Sequence, residues 1–213
     1  MIDTLEDRWK KLWKRLHADT VPQVVFETLI QAYSSTDRFY HNLTHISNCF
    51  SVFDRTKFLA AHPEEVELAI WFHDAVYDTR RDDNEQKSAE WAEKVISQSG
   101  LQCGVAERVS GLILATRHNA EVGDADAQLM VDVDLSILGA DPESFWQYEE
   151  NIRKEYAWVP EDLFRRRRTG ILRGFLNRRS IYYHQQYRQM FEKKARQNLR
   201  QAVAKLSDRK DVR

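Results

Sequence analysis

The stretch from Pro63 to Asp78 constrains this chain most. Pro63 suits a first helical position, and Val66, Leu68, Ala69, Ile70, Phe72 and Val76 follow at helical spacing on more than one stripe. A helix apolar on several faces must be surrounded by others, so it is expected at the centre of a bundle. The run ends in the adjacent pair His73-Asp74. An imidazole and a carboxylate in apolar surroundings cost free energy unless each finds a partner. A metal ion serves both, because it takes neutral imidazole nitrogen and carboxylate oxygen together. For the dipeptide alone the alternative is a hydrogen-bonded core histidine beside a helix-end acid.

The remainder of the chain has the same helical character. Seven Gly and four Pro in 213 residues supply too few turns for an all-β fold. Thr4-Leu-Glu-Asp7 resembles a capping box ahead of Trp9, Leu12, Trp13 and Leu16, and Pro22 is placed to open a second helix through Tyr33. Helical spacing recurs from Tyr40 to about Ala61. Asp78–Asn84 reads as a charged loop, and helices are expected around Glu85–Ser99, Gly104–Arg117 and Gln128–Leu138. A small, acidic stretch, Asn119–Asp126, separates the last two. Asp141-Pro142 is a helix start, Pro160 restarts the chain, and further helices reach about Leu206 before a frayed Ser207–Arg213 tail. The expected fold is an all-α, single-domain helical bundle over 1–213. Its metal-site core spans about 40–140, and its C-terminal helices about 141–206.

A net charge of −1, with 31% charged residues, supplies no global field to recruit nucleic acid or an anionic membrane. The N-terminus lacks a signal peptide's basic start and apolar middle, and no apolar run approaches spanning length. A cytoplasmic location without membrane association is expected. Cys49 and Cys103 have no CxxC partner, so neither a disulfide framework nor a zinc knuckle is indicated.

Two further stretches bear on the His73-Asp74 pair. In Tyr40-His-Asn-Leu-Thr-His45, His41 and His45 stand at i and i+4, so on a helix both rings share a face. Both can bind a metal, one can bind while the other works beside it, or both can lie on the surface. In Leu129-Met-Val-Asp-Val-Asp-Leu-Ser-Ile-Leu138, Asp132 and Asp134 are embedded in an apolar run, where carboxylates need cations or donors.

With these residues in order, the sequence resembles the HD-domain superfamily of metal-dependent phosphohydrolases, and most closely its small stand-alone bacterial members. The likeness rests on Tyr40-His-Asn-Leu-Thr-His45, Trp71-Phe-His-Asp74, Asn84-Glu-Gln-Lys-Ser-Ala89 and Asp132-Val-Asp-Leu-Ser-Ile-Leu-Gly139, and extends to about Tyr182. A more distant likeness to the helical cyclic-nucleotide phosphodiesterases assigns roles. It implies His45, His73, Asp74 and Asp134 as metal ligands and His41 as the acid that protonates the leaving oxygen. Asp134 is preferred to Asp132 because it directly precedes Leu135-Ser136. The phosphodiesterases' nucleotide-clamping glutamine has no match here, so cyclic nucleotides are not implied.

The resemblance thus implies a hydrolase of a nucleotide or small phosphorylated metabolite, in which His41 and Asp74 share the catalytic work. The divalent cation is Mn, Mg, Fe, Co, Ni or Zn, since imidazole and carboxylate suit them all. A second ion can bridge through Asp74 with help from His118, although a helix-end role suits His118 equally. Glu85 is either a contact to metal-bound water or a capping acid. Arg38 and Lys87 are phosphate contacts by position only. The alternative is a metal-stabilised nucleotide-binding or regulatory module without turnover. A homo-oligomer is compatible with either. The run Arg165-Arg-Arg-Arg168 lacks interleaved aromatics, which favours a solvated or salt-bridged face over nucleic acid, with one arginine, such as Arg168, turning inward.

Overall fold

The computed structural model describes residues 2–118 and 121–208. The described residues are all-helical, with no strand, and divide into two units, Met1–Val133 and Asp134–Arg213. No helix among them is long and apolar enough to cross a membrane. Asn119, Ala120 and most of the tail expected to fray lie outside the described residues.

The first unit holds α1 (Ile2–Arg15), α2 (Gln23–Tyr33), α3 (Leu43–Thr56), α4 (Pro63–Phe72), α5 (Asn84–Ser97), α6 (Val105–Ala115) and α7 (Ala125–Asp134). The unit boundary falls at the last residue of α7, so Asp134 is carried on a helix that starts in this unit. As its multiple apolar stripes predict, α4 is central: every residue from Glu65 to Phe72 is buried, and it packs against α1, α3, α5 and α6. Trp71 anchors this core, its ring 5.2 Å from that of Trp9 and 4.9 Å from that of Phe50. Two glutamates are buried on the same helix, and arginines neutralise both. Arg108 grips Glu65 at 2.6 and 2.7 Å, while Arg8 and Arg15 meet Glu67 at 2.8 and 2.5 Å. Burial still pushes the Glu67 carboxyl up, against the pull of both arginines. Asp126 fastens the start of α7, accepting from the backbone N–H of Ala61 (2.7 Å) and His62 (2.8 Å).

Three helix ends differ from the sequence reading. α1 already runs from Ile2, so Thr4 lies inside it rather than at its cap. α3 begins only at Leu43, because Asn42 is its N-cap and accepts from Thr44 N–H at 2.9 Å. His41 therefore precedes the helix instead of sharing its face with His45. Asparagine stabilises a helix start better than an interior turn, which explains the break. α4 stops at Phe72 with His73 as its C-cap, not at Val76.

The second unit opens with a 3-10 segment, Leu135–Gly139, followed by α8 (Pro142–Glu155), α9 (Glu161–Asn177), α10 (Gln185–Tyr187), a π-helical turn (Arg188–Glu192) and α11 (Lys193–Ser207). Two arginines of the run on α9 are tied into the structure, while Arg166 and Arg167 are exposed. Arg165 donates to the carbonyls of Leu206, Lys205 and Asp208, ending α11, and Arg168 turns inward to Glu149 and the Tyr148 hydroxyl. Gly139 is required by close approach, since a Cβ there would stand 2.5 Å from Phe191 Cβ and 2.8 Å from its carbonyl oxygen. Gly170 and Gly174, inside α9, face open space.

Gly139→Ala should therefore cost about 1–3 kcal/mol through overpacking. Gly170→Ala should instead stabilise by up to about 1 kcal/mol through helix propensity. Urea unfolding of the two variants beside the parent measures both. Equal small effects would contradict the packing at Phe191.

Candidate metal centre

Three helix ends supply the polar groups. His45 lies in the first turn of α3, His73 and Asp74 close α4, and Asp134 ends α7. Each position follows from local sequence: the Asn42 cap sets His45 one turn in, and the termination of α4 turns His73-Asp74 off the apolar run. Both imidazoles are buried, at 3% and 1% exposure.

The donor atoms converge. His45 Nε2 and His73 Nε2 are 3.1 Å apart, and Asp74 Oδ2 lies 3.2 Å from the latter and 3.5 Å from the former. Donors bound at about 2.1 Å stand about 3.0 Å apart at right angles and about 3.4 Å apart at tetrahedral angles. The three separations thus match one face of a coordination polyhedron. His73 Nδ1 is 3.0 Å from the Ile70 carbonyl oxygen. That contact assigns the Nδ1 proton and leaves the Nε2 lone pair toward His45, the arrangement a ligating histidine requires. Two ring nitrogens this close need a shared proton or a shared cation between them.

His45, Cys49, His73 and Asp134 together offer ligand atoms that all lie within 4.8 Å of one another, and this group could hold a metal ion. Its members are not equivalent. Cys49 Sγ is 3.7 Å from Nε2 and 3.8 Å from Nδ1 of His45, so the sulfur sits beside the ring. An ion on the Nε2 lone pair sharing that sulfur would leave it about 5 Å from Nδ1. Cys49 thus joins coordination only by rotating its side chain. Of the two aspartates on α7, Asp134 enters the group, whereas Asp132 is wholly buried and does not.

Burial alone would raise the Asp74 carboxyl. The charges of His73 and His41 and the hydrogen bonds of His45 and His73 outweigh it, holding the group well below the usual carboxylate range. His41 stands at the edge of the cluster, its ring 5.8 Å from that of His45 and stacked on Tyr77 at 4.2 Å. Tyr40 packs against both histidines, with centroids at 4.9 and 4.8 Å.

The outer candidates are disposed differently. Glu85, in the first turn of α5, meets Arg117 at 3.7 Å, and Lys87 pairs with Glu90 at 2.8 Å on an exposed face. His118 lies just beyond α6 with a left-handed backbone, φ 56°. Arg38 is buried among backbone carbonyls. Two neighbours were not anticipated from sequence. Cys49 follows His45 by four residues, a spacing that would have revealed it, whereas no sequence signal marks the stacking of Tyr77 on His41.

Metal affinity should fall as pH is lowered from about 8 to about 6, because protons compete for the imidazoles. Asp74 does not contribute to that fall. Its depressed carboxyl gives stabilisation that is present above the ordinary value and lost only as pH drops through the lower, folded one. Calorimetric Co²⁺ titrations in buffers of different ionisation enthalpy read the proton release directly. Affinity independent of pH, with no protons released, would contradict imidazole coordination. A scan against protein-family models returned no match, and searches of curated proteins and of solved structures returned none either.

Proposed function

We propose that the protein is a metal-dependent phosphohydrolase of the HD type, acting on a nucleotide or another small phosphorylated metabolite. The reading is carried by the convergence of His45 Nε2, His73 Nε2 and Asp74 Oδ2 at ligand-like separations, with Asp134 grouped with the same two histidines and Cys49. It is also supported by the likeness of the four motif stretches to that superfamily. His45, His73, Asp74 and Asp134 would hold a divalent cation. When bound, such an ion lowers the pKa of a water and offsets charge developing on a phosphoryl group.

The chain's own residues supply the rest. The Ile70 carbonyl orients His73 through Nδ1, so the ring presents its other nitrogen without rearrangement. His41 stands beside the cluster rather than within the ligand triangle, a position suited to carrying a proton to the leaving oxygen. Stacking on Tyr77 restricts the His41 ring to one plane, which favours transfer along one direction. Burial of the two ligand histidines keeps bulk water from competing for the ion.

The two motif histidines should separate by experiment. His45→Ala should lose both bound metal and activity. His41→Ala should keep the metal and lose about 10²–10⁴-fold in kcat on alkyl phosphate esters. The loss should shrink on a p-nitrophenyl ester, whose leaving oxygen hardly needs a proton. Equal losses of His41→Ala on both esters would remove it from the acid's role. Bound metal with no turnover over a broad panel of phosphate esters would favour a binding module.

A further inference from the structure

Arg38 lies three residues before His41 and is 9% exposed. Its guanidinium touches three backbone oxygens. Nη1 donates to the Asp74 carbonyl at 2.6 Å and to the His41 carbonyl at 3.3 Å, and Nη2 donates to the Ala75 carbonyl at 3.0 Å. Two aromatic rings lie against the same group. The guanidinium carbon is 5.1 Å from the Tyr33 ring centroid and 5.5 Å from that of Tyr77. Tyr33 is itself fixed, its hydroxyl donating to the Trp71 carbonyl at 3.1 Å. Among the described residues no carboxylate pairs with Arg38.

This is an unusual use of a buried arginine. A guanidinium stays charged at any accessible pH, and in a protein interior it ordinarily meets an acid. Here both terminal nitrogens are committed to carbonyls and tyrosine rings lie against the group, which leaves little of it for an incoming phosphate. The carbonyls belong to two segments far apart in sequence, the His41 turn ahead of α3 and the Asp74-Ala75 turn after α4. Both turns lie outside the helices they adjoin. A planar fork spans two successive carbonyls on one segment and reaches a third on the other, as a single ammonium cannot. Tyr77 extends the link, because its ring contacts Arg38 and also stacks on His41.

We propose that Arg38 is a positioning residue that locks the His41 turn to the Asp74 turn and so sets the leaving-group acid against the metal ligands. It acts through those two residues and does not bind substrate. The proposal rests on the functional reading given above for His41, while its effect on Asp74 is measurable without turnover.

The test compares Arg38→Lys and Arg38→Gln with the parent, using kinetics on an alkyl and a p-nitrophenyl phosphate ester, Co²⁺ titration and thermal unfolding. Loss of a group that orients a ligand typically costs about 10–100-fold in metal affinity or activity. Both variants should therefore bind Co²⁺ about tenfold more weakly. At saturating metal, kcat should fall about 10–100-fold with KM within about threefold, and the defect should be larger on the alkyl ester. A raised KM with kcat retained, largely rescued in Arg38→Lys, would make Arg38 a phosphate contact and overturn the proposal. A lowered melting temperature with unchanged kinetics and Co²⁺ affinity in the folded protein would overturn it too. If the parent hydrolyses neither ester, the functional reading fails by itself. The titration still decides, and unchanged Co²⁺ affinity in both folded variants would reject the positioning role.

Discussion

Two buried imidazole nitrogens, His45 Nε2 and His73 Nε2, approach to 3.1 Å. The rest of the site depends on that contact. With its other nitrogen directed to the Ile70 carbonyl, neutral His73 presents a lone pair to its neighbour. The close approach requires either a proton on His45 Nε2 or a cation on both lone pairs. A proton on His45 Nε2 bridges two neutral rings but adds no positive charge to offset Asp74. A divalent cation satisfies both rings and the carboxylate together, and their separations suit its coordination shell.

That approach is imposed by the scaffold. α4 is buried from Glu65 to Phe72, with the Trp71–Trp9–Phe50 cluster on one side and two arginine-neutralised glutamates on others. Such a helix has little freedom to shift, so the residues at its C-terminal end are delivered to one point. His45 arrives from α3, whose start is fixed by the Asn42 side chain. A site assembled from helix ends has backbone groups to satisfy, and Arg38 meets three of them.

Much of this was legible in the sequence. The burial of α4 follows from apolar residues on several stripes, and the all-helical class from periodicity with few glycines and prolines. His73 and Asp74 could be nominated because an imidazole and a carboxylate ending an apolar run are costly unless partnered. The choice of His45 over His41 and of Asp134 over Asp132 rests on the family resemblance of their motifs. What escaped was mainly three-dimensional. Asn42 and the end of α4 compete with helical periodicity, so His41 left the helix on which spacing alone put it. The three carbonyls gathered by Arg38 leave no trace in side-chain pattern, since any residue contributes a carbonyl. Cys49 was readable, four residues beyond His45, but was weighed only for disulfide and CxxC pairing.

X-ray absorption at the cobalt edge of the Co²⁺-loaded protein tests the metal centre most directly. The account predicts two imidazole nitrogens with carboxylate oxygens in the inner shell at about 2.0–2.2 Å, and no sulfur. An inner shell of oxygen alone, without imidazole scattering, would place the ion elsewhere and contradict the account. A sulfur at about 2.3 Å would contradict the ligand set by bringing Cys49 into it.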